Sequence, residues 1–313
     1  RQKENHMEWT ESIKKTISYI ETHLLDQENI QHISKKIGIS NFYLQKGFKL
    51  MTGYSISEYI KNRRLYLAAL DVIAHRDKII DLSYKYGYET PESFTKAFTR
   101  FHGVSPVQIK KDTGKIRPFL PLKIRLEVKG GTDMDVTVVK KEGFQVVGFE
   151  RIFSAEDSYQ KIPEFWAEYR KKYGLLWEKG KKPENAVEEA VVKCDVGEYG
   201  ICIDDLGEKA KEGKAASCGK FRYLIAGIYT GGEIPEGMSV YELPEMEWAC
   251  FRCVGAMPGA LQSVNTRIFK EWLPGNSEYE VARYVNVEWY SRGDMTSNDY
   301  ESSIWLPVKK VSR

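Results

Sequence analysis

Apolar stripes at helical spacing alternate with small-residue breaks over the first hundred or so residues. Ile13, Ile17, Ile20 and Leu24 recur every three or four positions in WTESIKKTISYIETHLL, which predicts an amphipathic first helix. Asn29 is placed to cap a second helix, with Ile30, Ile33 and Ile37 as its buried stripe and Gly38 as its end. Ser40 is placed to cap a third, carrying Phe42, Leu44 and Phe48. A helix, a tight turn containing glycine and a second helix make a helix-turn-helix. Ser55 and Glu58 then have capping-box spacing and open a run of about twenty helix-compatible residues. After it the cycle repeats. Ile79, Ile80, Leu82 and Tyr86 predict a helix ended by Gly87; Thr90 caps the next, with Pro91 at its first position and Phe94, Phe98 and Phe101 facing inward. Ser105 and Gln108 form another capping box, starting a short closing helix.

The pattern changes at residues 112–133, which carry two prolines, three glycines and no sustained period, and read as a linker with one strand at LKIRLEV. Beyond it the alternation is of strand type. MDVTVVKK, FQVVGFERIF, YGICIDD and FRYLIAGIYTG predict strands around a helix at PEFWAEYRKKYG. MSVYELP, EWACFRCVGAM, ARYVNVEWYS and YESSIWLPVKK predict strands around a helix at SVNTRIFKEWLPG. Strand-strand-helix-strand-strand therefore occurs twice, and an α+β domain of duplicated ββαββ-type halves is expected, with helices over an antiparallel sheet. The expected organisation is two-domain: an all-α double helix-turn-helix domain at 7–111, the linker at 112–133, and the α+β domain at 134–311.

Charge and rare residues sharpen that division. Residues 1–112 hold 18 Lys+Arg against 13 Asp+Glu, and the remainder 29 against 31, so the net +3 of the 313 residues conceals a basic front and a slightly acidic back. A basic front suggests a polyanionic partner. His6, His23, His32, His75 and His102 all lie in front; Cys194, Cys202, Cys218, Cys250 and Cys253 all lie behind. The odd cysteine count favours a reducing compartment over a disulfide framework. No apolar run approaches the eighteen or so residues of a membrane span. The opening RQKENHMEW lacks the apolar core of a secretory signal, and Met7 is expected to be the natural start. The expectation is a soluble, cytoplasmic protein. With the histidines scattered and absent after residue 102, no metal site, Ser-His-Asp triad or Cys-His pair is expected in the back half. Cys250 and Cys253 have metal or redox spacing, but three apart on a strand they face opposite sides. No cofactor is expected.

The duplicated helix-turn-helix has a physical meaning. Major-groove faces on one side of B-DNA recur roughly every 34 Å, and a helix of about twenty residues spans about 30 Å. One chain can thus place two reading helices in adjacent grooves of promoter DNA. Residues 8–111 resemble the DNA-binding domain of the AraC/XylS family, on ENIQHISKKIGISNFYLQKGFKLMTGYSISEYIKNRRL and IIDLSYKYGYETPESFTKAFTRFHGVSPVQIKK. The resemblance carries the family's base-reading positions onto Asn41, Phe42, Gln45 and Lys46 in the first unit. In the second they fall on Pro91, Glu92, Ser93 and Lys96. Gln45 suits adenine, Lys46 guanine O6/N7, Phe42 a thymine methyl and Glu92 cytosine N4. Relatives often carry Trp where Phe42 stands and Arg where Lys46 stands, which puts the sequence preference of this chain apart. Ser40, Tyr43, Lys49, Arg63, Arg64, Thr90 and Arg100 are phosphate-contact candidates; for Arg63 and Arg64 a solvated charged face is the alternative.

The back half resembles the GyrI-like, or AraC effector-binding, domain, on VVKKEGFQVVGFE, IPEFWAEYR, YELPEMEWACFRCVG and VEWYSRGDMTSNDYESSIWLPVKK. Such domains bind small, often hydrophobic and cationic molecules in a cleft between two halves. The resemblance marks Glu288 as the acidic residue of that cleft, with a solvated strand carboxylate as the alternative. Tyr290, Trp166, Tyr229, Trp248 and Trp305 are candidate aromatic walls, each equally compatible with core packing. The function expected is a sequence-specific transcription regulator, an activator, that senses a small hydrophobic or cationic effector and has RNA polymerase as a possible partner. It is not expected to be an enzyme. Two alternatives stand beside it. One is a GyrI-like hydrolase of a reactive small molecule, with Glu288 activating water. The other is a back domain that binds a protein partner.

Overall fold

A computed structural model describes residues 9–26, 30–74, 78–124, 134–154, 158–178, 181–204, 220–283 and 285–311. The expected cap at Asn29, the end of the LKIRLEV strand, Met7, His6, His75 and Cys218 lie outside the described residues. Two compact units are present: Ser40–Lys46 with Val128–Arg313, and Trp9–Ile39 with Gly47–Glu127. The third helix is shared, its first half counted with the former and its second half with the latter.

The helical elements are α1 (Trp9–Thr22), α2 (Ile30–Ile37), α3 (Asn41–Thr52), α4 (Ile56–Ile73), α5 (Ile79–Lys85), α6 (Pro91–His102) and α7 (Pro106–Lys111). Their ends follow local chemistry. Ser40 Oγ accepts from Tyr43 N–H at 3.0 Å, and both capping boxes form, at Ser55/Glu58 and Ser105/Gln108. Thr90 Oγ1 accepts from Ser93 N–H at 3.1 Å, with Pro91 in the first turn where its missing N–H costs nothing. Gly38 and Gly87 end α2 and the turn after α5 at φ of 79° and 81°, a region that strains any residue with a Cβ. At Gly87 a Cβ would also sit 2.7 Å from Arg64 Nη1. Around α4 the core closes on Leu65, Val72, Leu82, Phe94, Phe98 and Ile109. The start of the expected linker is a strap of this core: Thr113–Lys115 forms a 3-10 turn, and Phe119 stands 5.2 Å from Tyr54 and 5.9 Å from Tyr59.

The other unit is one antiparallel sheet with helices on one face. Its strands are β1 (Val136–Lys141), β2 (Phe144–Ser154), β3 (Tyr199–Ile203), β4 (Lys220–Ile228), β5 (Ser239–Leu243), β6 (Met246–Val254), β7 (Tyr279–Val281), β8 (Val285–Tyr290) and β9 (Glu301–Lys310). They lie in the order β1-β6-β9-β8-β3-β4-β2-β5, with β7 on β9. The helices are α8 (Ser158–Glu178), α9 (Ala186–Lys193) and α10 (Gly259–Arg267), which runs on through a π-helical turn, Ile268–Trp272, into Leu273–Gly275.

Alternation along the strands gives the sheet two distinct faces. One buries Tyr199, Ile201, Leu224, Trp248 and Val287, with Trp289 and Trp305 packed against them. The other carries the helices: Tyr173 of α8 stacks on Phe149 at 5.1 Å, and Trp272 of α10 meets Phe251 at 4.9 Å. Glu288 is on this second face.

Candidate functional site

Glu288 stands at the middle of the sheet, opposite Gly200 on β3 and Ile304 on β9. Its Oε2 accepts two phenolic hydrogen bonds, from Tyr223 at 2.8 Å and from Tyr290 at 2.9 Å. Trp166 of α8 donates Nε1–H to the Tyr223 hydroxyl at 2.8 Å, and its ring meets Tyr290 edge-on at 5.1 Å. Gly200 makes room for this chain: a Cβ there would lie 2.1 Å from the Tyr223 hydroxyl and 2.9 Å from Glu288 Oε2. Burial, and after it the Glu288 charge, hold both phenols far above their ordinary range, so both stay protonated and keep donating at any physiological pH.

The carboxylate itself is half-buried, and among the described residues no hydrogen bond reaches Oε1 and no Lys or Arg pairs with it. One oxygen is thus held by neutral donors while the negative charge keeps an open acceptor among aromatic rings. Chemically, such an arrangement can pair with a positive charge and add cation–π attraction of roughly 0.5–2 kcal/mol per ring.

Of the residues expected to line the cleft, Tyr290 and Trp166 join Glu288; three others do not. Trp305 pairs with Val287 and shares its face, so it points away from Glu288. Trp248, fully buried 6.2 Å from Trp305, belongs to that same opposite face. Tyr229 lies past the end of β4 and donates its hydroxyl to Gly232 C=O at 2.6 Å. Two site residues were missed. Tyr223 sits in an apolar strand where nothing marks one aromatic above its neighbours. Gly200 carried a usable signal, a lone glycine within a strand pattern, which marks close approach of another group. Cys250 pairs with Trp305 and Cys253 with Ser302, on opposite faces, and no His/Cys/Asp/Glu cluster among the described residues suits a metal.

The two reading helices are presented differently. On α6, Glu92, Lys96 and Arg100 recur at four-residue spacing and are exposed, as are Ser93 and the capping Thr90, while Pro91 is half-buried. On α3 the expected DNA-facing residues are largely enclosed: Ser40, Phe42, Tyr43 and Gln45 are 6%, 6%, 2% and 7% exposed. Gln45 Nε2–H is directed to Asn41 Oδ1 at 2.8 Å, and the Phe42 ring lies 4.6 Å from Phe221 of β4. Asn41, Lys46 and Lys49 are half-buried. As folded here, the first head does not offer Phe42, Tyr43 or Gln45 to a groove.

Arg63 and Arg64, expected at phosphates, have partners inside the helical unit. Arg63, 5% exposed, donates Nε–H and Nη2–H to the two Glu21 oxygens at 2.8 Å each. Arg64 donates to Leu24 C=O at 2.6 Å and to Asp26 C=O at 2.9 Å, the carbonyls after α1. All three guanidinium nitrogens of Arg63, and Nε and Nη2 of Arg64, thus donate within the helical unit.

A double helix-turn-helix unit and an antiparallel sheet with helices on one face define the class: a DNA-binding transcription regulator joined to an effector-binding domain. Residues 33–112 match the model of a helix-turn-helix domain, and residues 137–308 match that of the integron-associated effector binding protein, Cass2. The chain belongs to the AraC family of transcription regulators and carries a GyrI-like effector-binding domain of the Cass2 family. It is 35% identical over 88 residues to the regulatory protein SoxS of Salmonella typhimurium, covering 28% of this chain and 82% of SoxS. To the multiple antibiotic resistance protein MarA of Salmonella typhimurium it is 29% identical over 113 residues, covering 36% and 89%. A solved structure of SAV2435 bound to tetraphenylphosphonium matches with 21% identity and a TM-score of 0.43, over 56% of this chain and 94% of that one.

Proposed function

We propose that this regulator is an activator whose cleft takes up a small, apolar cation at Glu288, and whose response to that cation is expressed through promoter DNA and RNA polymerase in the cytoplasm. The observation that carries the ligand class is the half-buried Glu288 carboxylate, held on one oxygen by Tyr223 and Tyr290 and lacking a basic partner among the described residues. On DNA, the exposed Glu92, Ser93 and Lys96 of α6 read bases beside Pro91, and Thr90 and Arg100 contact phosphates. Asn41, Phe42, Gln45 and Lys46 read bases only when α3 is released, with Ser40, Tyr43 and Lys49 then on the backbone.

The cleft binds its ligand without turning it over. Protonated phenols on Glu288 Oε2 suit electrostatic recognition, and the relatives SoxS and MarA are named as regulatory and resistance proteins.

The test is calorimetric titration of the full chain with tetraphenylphosphonium, a large apolar monovalent cation. Glu288→Gln is expected to weaken uptake about thirtyfold, the loss of about 2 kcal/mol for one partner of a desolvated charge pair. Equal affinity in both proteins contradicts the cation reading, and a Glu288-dependent chemical product of a cationic ester would replace it with an enzyme.

A further inference from the structure

Ser40–Lys46, the cap and first half of the first reading helix, packs as part of the sheet unit. The Phe42 ring rests on Phe221, two positions before Tyr223 on the same face of β4, with centroids 4.6 Å apart. Phe42 N–H donates to the Asp204 carboxylate, just past β3, at 2.8 Å. Tyr43 O–H donates to Val285 C=O on β8 at 3.3 Å, and its ring stands 6.2 Å from Phe269 of the π turn in α10. The Lys46 ammonium lies over Phe269 and Phe42, 5.6 and 5.3 Å from their centroids. Two of these contacts fall on β4 and β8, the strands that bear Tyr223 and Glu288; the others are made just past β3, which bears Gly200, and on the π turn of α10. The buried Cys202 thiol feels two charges: burial pushes it far up, Glu288 adds to that rise, and Lys46 pulls it down. An ammonium flanked by aromatic rings in an acidic cleft has the chemistry of the ligand class assigned to Glu288.

The geometry points to a resident occupant of the effector cleft: the chain's own first reading head, seated by Phe42, Tyr43 and Lys46 and withheld from DNA until an apolar cation takes its place. This inference rests on the reading of Glu288 as a cation site. A helix face as enclosed as that of Phe42, Tyr43 and Gln45 cannot also fill a major groove, where base edges demand those same side chains. Cation and head therefore exclude one another in the cleft, and a ligand that favours the vacated cleft shifts the population toward a head free for DNA. The second head, exposed on α6, stays available in both states, so ligand changes the reach of DNA recognition without creating it.

The experiment uses the full chain and tetraphenylphosphonium. Asp204→Asn weakens the acceptor that holds Phe42 N–H while leaving every residue of α3 intact, and Phe42→Ala removes the ring that rests on Phe221. Where the seated state is favoured about tenfold, each variant should bind the phosphonium about tenfold more tightly. Asp204→Asn should also raise affinity for a duplex selected by the chain from random DNA, measured without ligand. Thermal melting identifies a variant that fails to fold; if Phe42→Ala does, Asp204→Asn decides alone. Unchanged phosphonium affinity in the folded variants, with Glu288→Gln still weakening uptake, leaves the cation site standing and removes the resident helix. Uptake indifferent to Glu288→Gln strikes the cation site itself, and the inference falls with it.

Discussion

The Arg63 guanidinium gives two donors to Glu21 and a third, Nη1–H, to Phe119 C=O at 2.5 Å, tying α1, α4 and the strap after α7 together. Burial raises the Glu21 carboxyl, but hydrogen bonds from Arg63 and Tyr59 outweigh it and hold the group below its ordinary 4.5. Removing the guanidinium leaves a partly buried carboxylate without its cation, so Arg63→Ala should cost about 3 kcal/mol of stability in urea unfolding. A loss under about 0.5 kcal/mol, usual for a surface substitution, would return Arg63 to the solvated face. Gly200→Ala tests the cleft from the opposite side. The added methyl must displace the Tyr223 hydroxyl from Glu288, so phosphonium affinity should fall as it does in Tyr223→Phe, and full retention would mean that Tyr223 holds nothing in place. Glu288, Tyr290 and Trp166, which the sequence singles out, come together in the structure. What the sequence lacked was partners: the pairing of Arg63 with Glu21 spans 42 positions, and no local pattern records that contact.

Among the elements, those with their own end signals were the most legible. The capping boxes, Thr90 with Pro91, and the glycines at 38 and 87 sit where local hydrogen bonding and φ demand them. α9 went unforeseen although Asn185 Oδ1 accepts from Glu188 N–H at 3.0 Å, because a short helix amid charged residues shows little periodicity. The three-residue β7 exists only through its pairing with β9. α6 also holds a pH response. His102 Nε2–H donates to Leu65 C=O at 3.1 Å, while Nδ1 accepts from Arg117 N–H at 3.1 Å, an arrangement that only neutral imidazole can make. Burial, with a further push from Arg117 against the pull of the Leu65 bond, lowers its pKa from the ordinary 6.5. A depressed folded pKa contributes stability that is complete above the unfolded value and lost as pH falls below it. The melting temperature of the helical unit should therefore drop between pH 7 and pH 5, and the drop should shrink in His102→Gln. An identical decline in the variant would assign the effect elsewhere.

For the whole molecule, the two-domain plan and both fold classes were legible because each half carries a single dominant period, helical in front and alternating behind. The packing of Ser40–Lys46 was not, since those residues satisfy equally the pattern of a helix that faces DNA and of one that faces an aromatic cleft. Their release has a consequence in salt. Each additional phosphate neutralised by the protein adds about 0.9 to the slope of log affinity against log salt. Phosphonium should therefore steepen the salt dependence of DNA binding by at least one such increment. An unchanged slope would mean that no second head engages. The most direct measurement is the affinity of the full chain for its selected duplex across a phosphonium titration, in wild type and in Glu288→Gln. Wild-type affinity is predicted to rise with phosphonium while that of Glu288→Gln stays flat. Wild-type affinity that is level or falls as the cleft fills would contradict release of the first head by the cation.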